Sequence, residues 1–327
     1  MRKVGAFVLM GAAICSTLTA QQASAPIAVP AWVYPLRSSS SGASVLAVPT
    51  ASDSARLLRV PGSRAVYSAA YVRDLFVLPD WYPNEHGPMP EIVARGRKPV
   101  VYACGYCHLP DGGGRPENAM LAGLSESYML AQIAAMRTRA RRSGAPVRYL
   151  PTELMISNLD STTTAEIAAA VAYFAKQRPR QRIRVREAAT IPRVLPATGI
   201  HRIDPAGGTE SLDGRIVEMP DDPERHEARD AHATYTSYVP VGSLARGRAL
   251  AERGSLACTT CHGGDLRGSA IAPAIAGRPP SYLLRQLLAF RNGARSTPEA
   301  TAMQAVVASL DLDAMVAVAG YAGSRKP

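Results

Sequence analysis

The chain has 327 residues, of which 47% are hydrophobic, and a formal net charge of +11. A chain of this length predicts two domains. Only four of its 37 basic residues are lysine, so we expect a surface rich in arginine. Beyond the first 25 residues no segment offers the run of about 18 apolar residues that a membrane-spanning helix needs, which predicts a product without a membrane span.

The first 25 residues have the parts of a secretory signal peptide. A basic start is followed by the apolar run 4–14 and by small residues that end at Ala25, as in a cleavage site. Cleavage after Ala20 is an alternative, and Cys15 leaves lipid anchoring open. We therefore expect an exported, periplasmic protein, and export argues against nucleic acid as a partner.

Two copies of the motif CxxCH contain four of the five cysteines. This motif is the attachment signature of c-type haem, because two thiols add to the vinyl groups of one porphyrin and the next histidine ligates the iron. A zinc site would need its second cysteine pair about 15–20 residues away, and a thioredoxin-like motif would need a βαβ setting. The sequence therefore predicts two covalently bound haem c groups, held by Cys104, Cys107, His108, Cys258, Cys261 and His262.

The residues that follow the two motifs repeat in register. Counted from the haem histidine, glycine recurs at +15, tyrosine at +20, glutamine at +24, and arginine at +29 and +33 in both copies. An upstream run, Ala-Arg-Gly-Arg, occurs at 94–97 and again at 245–248. The chain therefore holds a duplicated module. The paired residues that we expect to support the haem propionates are Tyr128 and Tyr282, Gln132 and Gln286, and Arg137 and Arg291.

The duplication also predicts the second axial ligand of each iron, which in c-type haem is often methionine. Of four methionines considered in the first copy, only Met155 pairs with another methionine, Met303. The spacing from histidine to methionine is 47 residues in the first copy and 41 in the second, which places a six-residue insertion near 145–154. Met129 and Met136 share an apolar helical stripe and should pack in the core. We expect both ligand methionines to follow irregular loops and to precede helices.

The patterns predict a small helical bundle around each haem. The predicted helices are 91–104, one from about 125, and 164–177 in the first copy, and 244–258, one from about 281, and 311–322 in the second. Thr163 or Thr164, before Glu166, should cap the helix 164–177.

Both copies resemble class I cytochrome c, and the order CxxCH, Ala-Gly, Tyr, Gln, Arg and a late Met before an Ala-rich helix resembles the dihaem cytochrome c4 family. The resemblance covers about 91–177 and 244–323. It implies His/Met ligation at both irons and single-electron transfer. The family has a proline whose carbonyl orients the haem histidine; Pro273 fits, whereas the first copy has Ala119 at this position.

Two segments fall outside the repeat. Residues 26–90 are rich in proline and serine, and 181–243 contain short alternating runs; arginine alternates with other residues over 180–186 as in a half-buried strand. The predicted fold class is mainly α, with two tandem cytochrome c-like modules and a partly β segment between them. The predicted order is signal peptide 1–25, N-terminal extension 26–90, first module 91–180, insert 181–243 and second module 244–327.

The leading hypothesis is an exported electron carrier between redox proteins rather than a catalyst. The basic clusters 137–142 and 178–186 would steer a redox donor or acceptor that has an acidic surface. Peripheral association with a membrane stays open. A dihaem enzyme, peroxidase-like or sulfur-compound oxidising, would need an open or differently ligated iron. A fixed electron-transfer subunit of a dehydrogenase is a third hypothesis. The histidines left over as alternative ligands are His86, His201, His226 and His232.

Overall fold

The computed structural model describes residues 25–36, 51–253 and 257–327, so the predicted signal peptide lies outside the described residues except for Ala25. The helices in these ranges are α1 Ala51–Ala55, α2 Ala69–Arg73, α3 Glu91–Ala94, α4 Cys104–His108, α5 Glu126–Arg137, α6 Leu150–Ser161, α7 Thr164–Phe174, α8 Pro223–Glu227, α9 Ser243–Glu252, α10 Cys258–His262, α11 Pro280–Arg291, α12 Thr301–Ala308 and α13 Leu312–Ser324. The strands are β1 Leu57–Leu58, β2 Tyr67–Ser68, β3 Ile183–Glu187, β4 Thr190–Pro192, β5 Val194–Ala197, β6 Ile200–Ile203, β7 Thr209–Ser211, β8 Val217–Pro220 and β9 Tyr235–Val239.

In the second module the first and last helices cross at a glycine. α9 lies against α13, and a Cβ atom on Gly247 would overlap the main-chain oxygen of Ala317. Leu288 of α11 and Met315 of α13 are fully buried in the core beside this crossing. α9 ends at Glu252, earlier than predicted, and the CxxCH motif forms a separate helical turn, α10.

In the first module the helix before the motif is much shorter than the predicted 91–104, because α3 ends at Ala94. Pro99 has no main-chain N–H and disfavours a helical conformation for the residue before it. The chain instead pairs with the N-terminal extension: the Leu78 N–H donates to the Ala94 carbonyl (3.0 Å), and the Ala103 N–H donates to the Leu75 carbonyl (3.0 Å). The extension thus supplies the partners that further helical turns would have had.

The expectation that the two methionines precede helices is wrong. Met155 lies within α6 and Met303 lies within α12. Pro151 stands in the first turn of α6, where its missing N–H costs no helical hydrogen bond. A 3-10 turn, Pro298–Ala300, leads directly into α12. Each helix therefore begins before its methionine.

Each module ends with an Ala-rich helix, as predicted, although α7 ends three residues earlier than predicted and α13 ends two residues later. Thr163 caps α7 in a capping box with Glu166, as the sequence indicated. Asp311 caps α13 by accepting from the Ala314 N–H (2.7 Å). These caps fix where each final helix begins.

The insert contains the three-stranded sheet β3-β9-β8, in which β3 is parallel to β9 and β9 is antiparallel to β8. The predicted half-buried strand is β3, with Ile183 buried and Arg184 exposed, although it begins three residues later than 180. The extension packs on the insert, where the Trp81 indole N–H donates to the Ala228 carbonyl (2.8 Å). The mainly α fold with a partly β insert is confirmed.

The two modules also join directly. The Arg142 N–H donates to the Ala294 carbonyl (2.9 Å), and the Ser296 N–H donates to the Ala140 carbonyl (2.8 Å). These two bonds flank an antiparallel bridge between Arg141 and Arg295, just after α5 and α11. The bridge brings the second half of each module against the other.

Candidate haem sites and their interface

Each CxxCH motif forms one helical turn that ends on its histidine, in α4 and α10. His108 Nδ1 lies 2.9 Å from the Ala119 carbonyl oxygen, and His262 Nδ1 lies 2.7 Å from the Pro273 carbonyl oxygen. A carbonyl only accepts, so Nδ1 is the donor in both rings and Nε2 carries the free lone pair. Burial lowers the pKa of both histidines, which keeps them neutral. A neutral imidazole with Nδ1 already bonded is the form that ligates iron.

The main-chain hydrogen bonds after the motif are the same in both modules. The Gly114 N–H donates to the His108 carbonyl (2.9 Å), and the Gly268 N–H donates to the His262 carbonyl (2.8 Å). The residue after each histidine turns with a positive φ, which is 65° at Leu109 and 83° at its glycine counterpart. The two loops thereby present one carbonyl to each histidine ring.

The four thiols at the two motifs are unpaired: Cys104, Cys107, Cys258 and Cys261 form no disulfide. Burial raises the pKa of Cys104 to about 12 and also raises the pKa of Cys107 and Cys258. All four thiols are half-buried beside the histidines. Thiols in this state match the thioether chemistry that haem c attachment requires.

The two methionines lie at matching places in their helices. Arg137 donates through Nε and Nη2 to the carbonyl four residues after Met155 (3.1 and 3.0 Å). Arg291 donates to the carbonyl four residues after Met303 (2.8 Å). Each arginine therefore anchors the C-terminal half of a methionine helix. Both side chains of this arginine pair bind main-chain carbonyls, and their support of the haem propionates stays a prediction.

The other paired residues meet between the modules. Arg141 donates to Gln132 (2.9 Å) of its own module and to Gln286 (3.2 Å) of the second. Arg295 donates to Gln286 (3.2 Å) of its own module and to Gln132 (2.7 Å) of the first. The tyrosine hydroxyls at position +20 are the remaining partners, at 3.2 Å from Arg141 and 3.4 Å from Arg295. The result is a symmetric hydrogen-bonded cluster that crosses the interface.

Four arginines of the two modules cross their interface and are buried without a carboxylate partner in the described ranges: Arg141, Arg278, Arg285 and Arg295 are 8%, 4%, 4% and 8% exposed and contact only neutral acceptors. Burial lowers the pKa of Arg278 and Arg295, although an arginine stays charged. A buried charge is costly unless an opposite charge accompanies it. Each haem carries two anionic propionates, which would supply the missing opposite charges. The buried arginines therefore fit two haems, as the cysteines and histidines also do.

The surfaces around the two motifs differ in exposure. Every residue from 104 to 122 is buried or half-buried, because the insert and the extension lie over the first module. In the matching stretch of the second module, 258–276, the chain is open to solvent, and Ile271 is 79% exposed. The exposed residues in this stretch are Thr260, Gly264, Asp265, Arg267, Ser269, Ala270 and Ile271.

A buried charged cluster beside Cys107 was not foreseen from the sequence. Arg115 pairs with Glu117 (2.9 Å), and the insert adds His226, whose Nε2 lies 3.9 Å from Glu117. Arg229 of the insert stacks over the Tyr106 ring of the motif, 3.3 Å from its centroid. The repeat could not reveal this cluster, because neither Arg115 nor Glu117 has a charged counterpart in the second module. It explains how the insert is fixed to the first motif.

The four leftover histidines all make contacts within the extension and the insert. His86 bonds Asp80 (3.1 Å), His232 bonds Glu85 (2.9 Å) and His226 bonds Tyr235 (3.1 Å), while His201 is buried beside β8. No cluster of three or more histidine, cysteine or acidic side chains that could hold a metal ion occurs within residues 25–36, 51–253 and 257–327.

No single helix among the described residues is long and apolar enough to cross a membrane. Two neighbouring helical segments, 298–308 and 312–324, have the required length and apolar composition only when they are taken together, and the chain bends by 112° between them.

No family model matches the chain. The chain is 27% identical to cytochrome c4 of Azotobacter vinelandii over 223 residues, which is 67% of this chain and 82% of that protein. It is 46% identical to a thiosulfate dehydrogenase electron acceptor of Stutzerimonas stutzeri (strain A1501) over 67 residues, 20% of this chain and 30% of that protein. The solved structure of Acidithiobacillus ferrooxidans cytochrome c4 matches with a TM-score of 0.44 and 22% identity, over 68% of this chain and 97% of that chain.

Proposed function

We propose that this protein, a dihaem c-type cytochrome resembling the cytochrome c4 family, carries single electrons between redox proteins, with His/Met ligation at both irons. One observation carries the proposal: two sites with the same histidine geometry meet through a shared cluster of buried arginines. Two irons held on either side of one interface would give an electron a route from one redox partner to the other.

Each haem would be held by residues of one module. The residues assigned to the first haem are Cys104 and Cys107 for the thioethers and His108 and Met155 for the iron, and those assigned to the second are Cys258, Cys261, His262 and Met303. When bound, haem supplies an iron that changes its charge by one without binding substrate. The role of the chain is to fix the ligands, bury the histidines and place cations near the propionates.

We infer that the second module is the one that exchanges electrons with partners. Its motif region is open to solvent, and its two exposed charges there, Asp265 and Arg267, pair with each other at 3.6 Å. The remaining exposed residues of this patch are small or apolar, with Ile271 at its most prominent point. A redox partner with a small apolar face around its own cofactor fits such a patch. The first module would then receive electrons through the interface, because the insert covers its motif.

A second candidate function is that of a fixed electron-accepting subunit of a dehydrogenase. The short match to a thiosulfate dehydrogenase electron acceptor favours it, and so do the extension and the insert, which add surface beyond the two modules. Co-purification with a larger enzyme would support this function over that of a free carrier. Export to the periplasm, which we propose from the leader at 1–25, agrees with either role.

The experiment is a redox titration with optical spectra on the holoprotein and on Met155→Ala and Met303→Ala. Each substitution should remove the methionine-to-iron charge-transfer band of one haem only and lower the potential of that haem. Met136→Leu is the matched control, since Met136 is also half-buried, lies in a helix and has no methionine partner in the repeat. Unchanged bands in both alanine variants would contradict the ligand assignment, and rapid peroxide turnover by the wild-type protein would contradict the carrier role.

A further inference from the structure

One arginine of the second module reaches the main chain of the first. Arg278 is 4% exposed, and its guanidinium lies between the loops that follow the two CxxCH motifs. Its Nε donates to the Ala274 carbonyl of its own module (2.6 Å). Its Nη1 donates to the Met120 carbonyl of the first module, and its Nη2 lies 3.5 Å from the Ala122 carbonyl. One rigid, planar fork therefore connects both loops.

The two carbonyls that Arg278 joins hold the same place in the repeat. Met120 and Ala274 each directly follow the residue whose carbonyl accepts the histidine Nδ1–H, which is Ala119 in the first module and Pro273 in the second. Neighbouring peptide planes are linked only through the two soft dihedrals of one residue. Fixing the Met120 carbonyl therefore limits how far the Ala119 carbonyl can rotate away from His108.

The first module needs this restraint more than the second. The ring of Pro273 fixes its φ, whereas Ala119 has no such constraint. The counterpart of Arg278 in the first module is Leu124, which cannot donate a hydrogen bond, so the repeat does not supply a reciprocal arginine. The arginine and the missing proline are thus two departures from the repeat that meet at one loop.

We propose that Arg278 is a positioning residue for the haem histidine of the first module. It holds the loop 119–122 across the module interface and so does for the Ala119 carbonyl what the proline ring does for the Pro273 carbonyl. This inference rests on the proposed function in one respect, because it takes His108 as an iron ligand. A firm Nδ1–H bond raises the basicity of a histidine ligand and favours the ferric iron. Loosening it at constant charge, as in Arg278→Lys, raises the potential of the first haem relative to the second.

The test compares Arg278→Leu, Ala119→Pro and the double variant in the reduced holoprotein. The readouts are solvent exchange of the two histidine Nδ1–H protons by NMR and the two midpoint potentials. Arg278→Leu should speed exchange at His108 roughly five- to tenfold, the loss expected for about one hydrogen bond. His262 is the internal control and should not change, because Pro273 still holds its carbonyl. The double variant should restore slow exchange at His108, and the Ala119 N–H donates no hydrogen bond in the described residues that proline would remove.

Arg278→Lys separates positioning from charge. It keeps the cation but cannot span both loops, so it should speed exchange at His108 as the leucine variant does; it also replaces that variant if Arg278→Leu fails to retain both haems. Wild-type exchange in the lysine variant would show that Arg278 acts through charge alone. No restoration by Ala119→Pro would show that its effect does not pass through the Ala119 carbonyl, and either result would overturn the proposal. Either result would leave the methionine-to-iron charge-transfer bands of the wild-type protein in place. Absence of those bands would instead contradict the proposed function.

Discussion

Arg141 of the first module and Arg295 of the second each donate to both interface glutamines, Gln132 and Gln286. The same two arginines form the main-chain bridge that joins the modules. Each glutamine side-chain oxygen thus accepts hydrogen bonds from two arginines, one from each module. The arrangement places two buried positive charges side by side with neutral acceptors, which is favourable only where anionic groups complete the site.

Arg295→Gln should lower the potentials of both haems. A buried cation stabilises the reduced iron, and loss of one such charge interaction at an effective dielectric constant near 20 is worth about 1–2 kcal/mol, or roughly 40–90 mV for one electron. Spectroelectrochemistry measures the shift. Arg184→Gln is the control, because Arg184 is exposed on β3 and should leave both potentials unchanged. Equal shifts of the haem potentials in the two variants would contradict the prediction, because they would show that burial at the interface does not matter.

Replacing both cysteines of one motif by alanine should remove one covalent haem and leave the other. The measurement is the intact mass under denaturing conditions, with haem staining after gel electrophoresis. Cys104→Ala/Cys107→Ala and Cys258→Ala/Cys261→Ala should each retain one haem. Retention of two covalent haems in either double variant would disprove the attachment sites.

Gly247→Ala should destabilise the second module. A Cβ atom at this position meets the main chain of Ala317, which cannot move without parting α9 from α13. Overpacking of this kind costs about 1–3 kcal/mol, measured as the change in unfolding free energy by denaturant titration. Gly264→Ala is the matched control, since nothing lies within 4 Å of a Cβ there. A control variant as unstable as Gly247→Ala would contradict the packing argument.

Ile271→Glu should slow electron exchange with a protein partner without shifting either potential. Among the residues that the structure describes, Ile271 is the most exposed large apolar side chain, and it lies in the open patch of the second module. Stopped-flow reduction with a small soluble cytochrome as the probe gives the rate. Ile203→Glu provides the comparison, because Ile203 is 55% exposed but belongs to the insert. If the Ile203 variant slows exchange and the Ile271 variant does not, partners dock on the insert instead.

The insert should lose stability as the pH falls below about 6.5. Burial, reinforced by Arg285 and Arg215, lowers the pKa of His201 to about 4. Because the unfolded chain binds a proton near pH 6.5 and the folded chain does so only near pH 4, stability is full above the unfolded value and declines between the two. The loss approaches about 3 kcal/mol for one buried histidine. Denaturant titrations of wild type and His201→Gln at pH 7.5 and 4.5 test this; a variant that loses as much as wild type would assign the effect to other groups.

The two covalent haem c groups could be predicted from the sequence because haem c attachment is a local requirement. Two thiols and a histidine must stand at fixed spacing, so CxxCH needs no knowledge of the fold. The repeat then paired Met155 with Met303, and it also paired the glutamines and arginines that meet at the interface. Pairing indicated that these residues share a role but could not tell which role.

Only the tertiary structure decided what each pair contacts. Arg137 and Arg291 are as regular in the repeat as Arg141 and Arg295, yet the first pair binds methionine helices and the second pair joins the modules. The helix predicted before the first motif was lost to pairing with the extension, a contact between segments that share no pattern. Arg278 and the cluster at Arg115 and Glu117 depend likewise on contacts between segments distant in sequence. Sequence determines chemistry that is local to a motif, whereas burial and long-range contacts arise only when the chain has folded.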